Sequence, residues 1–546
     1  MDLNNFKLLP IDNQKEVYLE IKAKKEAFIN KMVHRCTEDV EINTKLFIMQ
    51  IQFLMKIYGS KEAADRFISY MSFKLDCARE QEEEMWRLDV EKCQENLAIL
   101  TKEKELKTEV LADIMPVQRK YKIISRPAKL TKKDGEQSEA GKKWFELLKQ
   151  NNLPEHYTDA VKVLESEERG NPRSPAQLKE WLFSLGWVPD EFAYVKDKKL
   201  ETVKKIPQVN TKEAELTDSI KALMEANPQL EHLDSLGVLN HRIGLLKGFL
   251  ESVDSNGFVK ATINGFTNTM RFQHSKPCVN LPTIPKKYWE MVRGVLIAKD
   301  DKHILCGSDM SSLESNTRNH LIYFFDPQYV KDMQVDGYDS HTDIAKRAGL
   351  MTEDEEKFYQ WYGKNEDIEK TEEQTKNYKR LKAIRLKSKK VNFGALYGAG
   401  ISKLALTANI SEREAKILHT AYWERNKAVK LISDACIIKE VNGMKWLYNP
   451  VSRFWYSLRI EKDKFSTLNQ GLGVYCFDIW LRYVRSQGIK LCGQFHDECI
   501  SCIPKGTEDE VRQKLLNAIA KTNEELKLNI ELGISIDFGQ SYKDIH

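Results

Sequence analysis

Along the first 115 residues, apolar side chains recur at three- and four-residue steps with Lys and Glu between them, as in EINTKLFIMQIQFLMKIYG and MWRLDVEKCQENLAILTKEKELKTEVLADI. That period matches the turn of an α-helix, so the spacing predicts helix throughout 1–115, ended by Pro116. Segment 116–143, PVQRKYKIISRPAKLTKKDGEQSEAGKK, loses the period; it holds nine Lys or Arg against three Asp or Glu, an excess of six positive charges. A second helical stretch follows, and NPRSPAQLKEWLFSLGWVP then opens with a turn and continues as an amphipathic helix. From about residue 250 the texture becomes mixed helix and strand. FVKATING, KHILCGSDM and CGQFHDECISCI read as strands, with β-branched or apolar residues bounded by Gly, Asn or Asp. Residues 351–380 alternate Glu and Lys, which predicts a solvated helical insert without chemistry.

Composition narrows this only a little. A chain of 546 residues has room for three or four domains of roughly 150 residues each. With 41% hydrophobic and 30% charged residues it can bury a large core and is not a disordered chain. The net charge of +4, from 85 Lys+Arg and 81 Asp+Glu, neither demands nor excludes a nucleic-acid partner. No apolar run approaches the ~18 residues of a membrane span, and the polar N-terminus MDLNNFKLLPIDNQKE lacks the apolar core of a signal peptide. No membrane partner and a cytoplasmic setting are therefore expected. Ten scattered cysteines suit reduced thiols. Cys499 and Cys502 form one C-x-x-C without a second pair, so two core-facing cysteines on a strand are expected rather than a zinc site.

Three constellations carry chemistry. In LCGSDMSSLE, residues 305–314, a short apolar strand ends at Asp309 and a helix begins just after it. In GQFHDECI, residues 493–500, an acidic turn separates two apolar strands. Either alone is ordinary turn chemistry, because solvated acids at a hairpin tip cost little. Phosphoryl transfer, however, needs carboxylates from separate elements to hold two divalent ions, and Asp309 and Asp497 are candidates for that pair. The third constellation is KAIRLKSKKVNFGALYGAG, where Arg385, Lys389, Phe393 and Tyr397 fall at steps of four. Four residues turn through about 400° on a helix, so these side chains drift slowly around one face. Two cations at one end suit a triphosphate; two aromatic rings at the other suit a base and sugar.

In order along the chain, these segments resemble the three polymerase motifs of family A (polymerase-I-like) DNA polymerases. Asp309-x-Ser311-x-x-Glu314 looks like motif A, Arg385-x3-Lys389-x3-Phe393-x3-Tyr397-Gly398 like motif B, and His496-Asp497-Glu498 like motif C. The resemblance covers roughly residues 75–546 and leans toward the phage-type branch, through NPRSPAQLKEWLFSLGWVP, HRIG, NLPTIP, YDSHTDIA and LYGAG. It implies an α+β, multi-domain right hand with mostly helical thumb and fingers and an antiparallel-sheet palm. The segments would be an N-terminal helical segment at 1–75, read as the remnant end of an exonuclease domain; a thumb at 76–250 with a basic insertion at 116–170; palm at 251–340; fingers at 341–430; and palm again at 431–546.

The resemblance also implies residue roles. Asp309 and Asp497 would bind two Mg²⁺ ions (Mn²⁺ substituting), with Glu498 in support. Arg385 and Lys389 would grip the phosphates of a dNTP, with Lys389 assisting the leaving group and His341 touching a phosphate. Glu314, helped by Tyr397, would block a 2′-hydroxyl, and Phe393 would stack on the nucleotide; Phe there rather than Tyr goes with rejection of dideoxynucleotides. Arg271, Asn280, Gln470, Gln494 and His496 would touch primer-template DNA, mainly in the minor groove. Three departures stand out. The Arg271–Asn280 spacing is two residues longer than the family's, Met270 replaces a Gly, and Asp339-Ser340-His341 replaces Asp-Ile-His.

A proofreading domain would begin with Asp-x-Glu on a strand. Asp39-Val40-Glu41 and Asp89-Val90-Glu91 fit the string, but both stand in helical sequence without the expected later acids. The chain alone is therefore expected not to proofread. Arg35–Thr44 faintly resembles the last exonuclease helix of phage enzymes, which suggests a split polymerase whose separate 3′–5′ exonuclease subunit meets this end and recruits Asp39. The 116–170 insertion is expected either to clamp DNA or to dock a processivity factor, with a disordered solvated loop as the alternative. Two other readings remain: a single-subunit RNA polymerase, which Glu314 opposes, and an inactive DNA-binding scaffold, which Asp309, Asp497 and Lys389 oppose.

Overall fold

The computed structural model describes residues 10–132, 135–196, 203–211, 214–365, 368–396 and 398–545. The N-terminal stretch is helical but not throughout. The helix Ile11–Tyr58 ends at Gly59, whose φ of 76° needs no Cβ, and Ser60 caps the next helix, Lys61–Glu84, by accepting the Ala63 N–H. Met85, at φ 52°, then turns the chain into a strand, Trp86–Leu88. This corrects the expectation of unbroken helix over 1–115. Trp86 and Leu88 are buried on either side of exposed Arg87, and that two-residue alternation pairs the segment antiparallel with Phe258–Val259 and Leu296–Ile297. Asp89 caps the following helix, Val90–Ile114, through the Lys92 N–H at 3.0 Å, so Asp89-x-Glu91 is a helix start. Asp39 and Glu41 lie on the exposed surface of the first helix.

The basic segment is folded. Strand Gln118–Ile124 pairs antiparallel with Val161–Glu168, and helix Glu139–Gln150 covers one face with Trp144 and Leu148 packed beside Val161. Those apolar residues, interleaved with the lysines, supply a small core, so the disordered-loop alternative does not hold for the described residues. Arg119 meets Glu167 at 2.7 Å and Lys120 meets Glu168 at 2.5 Å, which neutralises part of the basic stripe. The helix Pro175–Ser184 follows as expected, in a separate core with Leu111, Trp187 and Ile220.

At the centre lies a four-stranded antiparallel sheet ordered Gly493–Phe495, Glu498–Pro504, His303–Met310, Ile534–Gly539. Its alternation buries both faces. Cys499 and Ile503 face a core with the helix Lys464–Ser486, while Ile500 and Cys502 face the core holding Trp86 and Phe249. Cys499 and Cys502 therefore point to opposite sides of the sheet. In the 351–380 segment, Glu353–Lys364 forms a helix with a Thr352/Glu355 capping box, and Tyr378 stacks on Tyr359 and Tyr362 at 5.1 and 4.1 Å. That segment is helical as expected, yet packed through its aromatic rings. The molecule is thus α+β, dominated by helix, with small antiparallel sheets. Among the described residues no helix is long and apolar enough to cross a membrane.

Candidate active site

Two central strands end in acids. Asp309 lies opposite Glu498 in the antiparallel register, and the hairpin between Phe495 and Glu498 turns on His496 (φ 60°) and Asp497. The Met310 N–H donates to the Asp497 carbonyl oxygen at 3.0 Å, which ties the turn to the end of the Asp309 strand. Asp309 and Asp497 are both half-buried, and burial raises the Asp497 carboxyl above its ordinary range. His496 and Arg271 oppose that rise, and the Glu314 carboxylate adds to it. Glu498 lies deeper, 3% exposed, and accepts the Tyr542 hydroxyl at 2.9 Å.

Ser312, in the left-handed region at φ 51°, redirects the chain from the Asp309 strand into the helix Leu313–Tyr323, with Glu314 in its first turn. Glu314 receives an Arg271 guanidinium N–H at 2.6 Å. Arg271 closes the hairpin between Ile263–Phe266 and Phe272–His274, and Met270 before it holds φ 66°, a backbone glycine adopts without strain. Asn469 donates to the Glu314 carbonyl at 3.0 Å, and neighbouring Gln470 is half-buried on Lys464–Ser486. His496 is exposed; so is Asn280, at φ 54° in a loop. Gln494 is 1% exposed, its amide reaching the Cys77 carbonyl at 3.4 Å. Strand alternation turns it inward, so the expected direct contact with a DNA groove is not available to it in this conformation.

The cationic–aromatic face lies on the helix Glu372–Leu396. Arg385 is ion-paired with Asp339, which also caps the helix Ser340–Arg347 by accepting the His341 N–H at 2.8 Å. The His341 ring lies 5.7 Å from the Phe393 ring. Lys389 is exposed and Phe393 is 50% exposed, so both present themselves to solvent, while Tyr397 lies outside the described residues. The Asn392 amide nitrogen reaches the Ser340 carbonyl at 3.4 Å and His341 Nδ1 at 3.0 Å. A nitrogen facing a carbonyl must be the NH₂ group, so it donates to Nδ1 and leaves the proton of neutral His341 on Nε2. Burial holds the His341 pKa down to about 4, with Asp339 opposing and Arg385, Lys389 and Arg318 reinforcing that shift. The sequence reading named Asp339 only within Asp339-Ser340-His341 and gave it no role, and it did not single out Asn392. Asp339 carried a signal, as an Asp two residues before a helical His; Asn392 carried none.

Among the described residues no cluster of three or more His, Cys, Asp or Glu could hold a metal ion. The neighbouring Asp309 and Asp497 are half-buried carboxylates whose hard oxygen donors suit an ion that keeps waters and takes further ligands from a phosphate.

The sequence model of DNA polymerase family A matches residues 148–467, more than half of the chain, taking in Asp309, Arg385, Lys389 and Phe393 but ending before Asp497. DNA polymerase I of Streptococcus pneumoniae is 26% identical over 298 residues, 54% of this chain and 29% of that protein. DNA polymerase I of Lactococcus lactis subsp. cremoris is 27% identical over 188 residues, 34% of this chain and 18% of that protein. The chain thus matches less than a third of the length of these relatives. In fold it is similar to the POL domain of Pol1 from M. smegmatis in complex with DNA primer-template and dNTP, with a TM-score of 0.54 and 19% identity over 86% of this chain and 70% of that one. With more than half of its length matched by the family model, the chain belongs to DNA polymerase family A.

Proposed function

We propose that this chain extends a DNA primer on a template, transferring nucleotides from dNTPs to the 3′-hydroxyl in the 5′–3′ direction, in phage-type DNA replication. The observation that carries this reading is the pairing of Asp309 with the Asp497 turn on adjacent strands, in a chain that also presents Arg385, Lys389 and Phe393 on one helix. In this reading the central sheet is the palm, residues 341–430 are the fingers and 76–250 the thumb.

Asp309 and Asp497 would hold two Mg²⁺ ions. Held by these carboxylates, Mg²⁺ would supply Lewis-acid activation of the 3′-hydroxyl and neutralisation of the leaving pyrophosphate. Everything else falls to the chain's own residues. Lys389 and Arg385 supply fixed positive charge for the triphosphate. Neutral His341 offers Nε2–H to a phosphate oxygen, its ring oriented by Asn392. Phe393 gives the base an apolar platform. Glu314 occupies the space beside the sugar and carries charge that a 2′-hydroxyl would crowd, which favours dNTPs and disfavours the RNA polymerase reading. Arg271, held on Glu314 here, is available to exchange that carboxylate for the primer terminus.

The exposed apolar side chains of Ile11–Tyr58, among them Phe28, Val40 and Phe47, support a separate 3′–5′ exonuclease subunit at this end. Digestion of single-stranded DNA by the purified chain alone overturns that part. The core test is primer extension on a defined template with dNTPs and Mg²⁺ beside Asp497→Ala. Extension lost in the variant and absent with rNTPs is expected. A folded chain that binds primer-template and extends nothing overturns the proposal.

A further inference from the structure

The polypeptide passes between two cores twice. Tyr329 and Val330 belong to the core of the central sheet, whereas Ile344 belongs to the core of the helices Ile401–Ala408 and Glu412–Arg425. On the return, Tyr422 lies in that second core and Ala428 in the first. The outward crossing is the stretch 334–339, which contains Gly337 at φ 81°. The returning one turns at Asn426, between the helices Glu412–Arg425 and Lys427–Ala435.

Arg425 stands at the second crossing and bridges the first. Its Nη2 donates to Asp332 at 2.6 Å, on the helix before the outward crossing. Its Nε donates to Asp343 at 3.2 Å, on the helix after it. The guanidinium carbon lies 3.9 Å from the centre of the Tyr329 ring, and the Tyr329 hydroxyl donates to Asn426 at 3.1 Å. Tyr338 and Arg347 complete the surroundings of Asp343 at 2.9 and 3.3 Å. The Arg425 side chain is 11% exposed, Asp343 13% and Asp332 36%. A planar guanidinium stacked on an aromatic ring with two forked carboxylates has little freedom left, and lysine cannot reproduce that geometry. The helix it holds is the one that carries His341, and Asp339 at its start holds Arg385.

We propose that Arg425, anchored by Asp332 and Asp343, is the pin of the joint between fingers and palm. It is a positioning residue: it touches no substrate, and it sets where His341 and Arg385 stand relative to Asp309 and Asp497 when a nucleotide is captured. This rests on the polymerase reading above. A joint that positions a binding group acts on nucleotide capture before it acts on chemistry, because the carboxylates stay where the sheet puts them.

The test uses Asp332→Asn, which removes the charge of the more exposed anchor and spares the Asp343 pair, with Arg425→Lys as a second variant. Single-nucleotide incorporation should show KM for dNTP raised about tenfold or more with kcat at saturation within about threefold, the signature of lost binding geometry rather than lost chemistry. Amide hydrogen exchange on the DNA-free protein should quicken within 334–347 and stay unchanged in the central sheet. Glu461→Gln, which breaks the Lys445 pair at 2.5 Å outside the joint, should change neither. Both halves must appear in Asp332→Asn: an unchanged KM, or unchanged exchange at 334–347, overturns the proposal. Exchange quickened throughout the molecule overturns it too, since that marks general loss of structure. Should the unaltered chain extend no primer, the polymerase reading falls while the exchange arm still decides the pin.

Discussion

Two histidines held neutral by their surroundings make this molecule sensitive to acid. Burial holds both His320 and His341 at about 4, against an ordinary value of 6.5, and His320 Nδ1 accepts the Asn529 N–H at 3.1 Å. Between those values the unfolded chain takes up protons that the folded chain refuses. Stability from these two groups is therefore fully present above about pH 6.5 and is lost as pH falls toward 4. The unfolding midpoint should fall over that window, and His320→Gln, which cannot be protonated, should flatten the slope; an equal slope in the variant removes His320 as a cause. Sequence named His341 but could not show its burial, which comes from residues distant along the chain. Asp309, Asp497, Arg385, Lys389 and Phe393 could be read from the sequence because their chemistry and local spacing coincide: turn acids after apolar strands, and steps of four on a helix. Asp339, Asn392 and Arg425 act through partners 46, 51 and 82–93 residues away, and no local period encodes such contacts. Gln494 shows the converse, since its place in the motif said nothing of the strand face that buries it.

At the level of elements, period alone decided most assignments and missed where burial overrode it. Trp86–Leu88 is too short for its alternation to stand out between two long helices, and only its two antiparallel neighbours make it a strand. A disordered loop stood as the alternative for the basic insertion because charge masked the core residues Trp144, Leu148 and Val161. Its two ends meet: a Cβ on Gly170 would stand 2.3 Å from Met115 Cβ, and Arg169 reaches back to Glu109 at 3.1 Å. The unit to excise is consequently 116–169, because removing 116–143 alone leaves the strand Val161–Glu168 without its partner. On the polymerase reading proposed above, joining Met115 to Gly170 should leave single-nucleotide addition intact and shorten the product made per binding event, whether the insertion grips DNA itself or docks a processivity factor. Product length unchanged from the full chain, measured with a trap for released enzyme, removes both roles.

Across the whole molecule, the most distant parts of the sequence are joined by charge. The helix Lys61–Glu84 lies along Lys464–Ser486 and the start of the acidic hairpin, with Glu80 on Arg485 at 2.9 Å and Glu84 on Lys490 at 2.6 Å. Deepest is Lys74, which meets both oxygens of Asp478 at 2.8 and 2.7 Å while Tyr70 donates to the same carboxylate. The Lys74 and Asp478 side chains are 2% and 3% exposed, and the ammonium also lies 4.5 Å from the Phe272 ring, next to Arg271. Desolvating two charges offsets most of what their attraction contributes, so the intact pair is a weak source of net stability. Breaking it is different, because the survivor is left charged in a dry site. Lys74→Met should cost about 3–5 kcal/mol, whereas Lys74→Met with Asp478→Leu should recover most of that loss. Chemical denaturation of the two variants checks the sign. A double variant no better than the single one means that the pair itself, rather than the stranded charge, holds the helix Lys61–Glu84 to Lys464–Ser486.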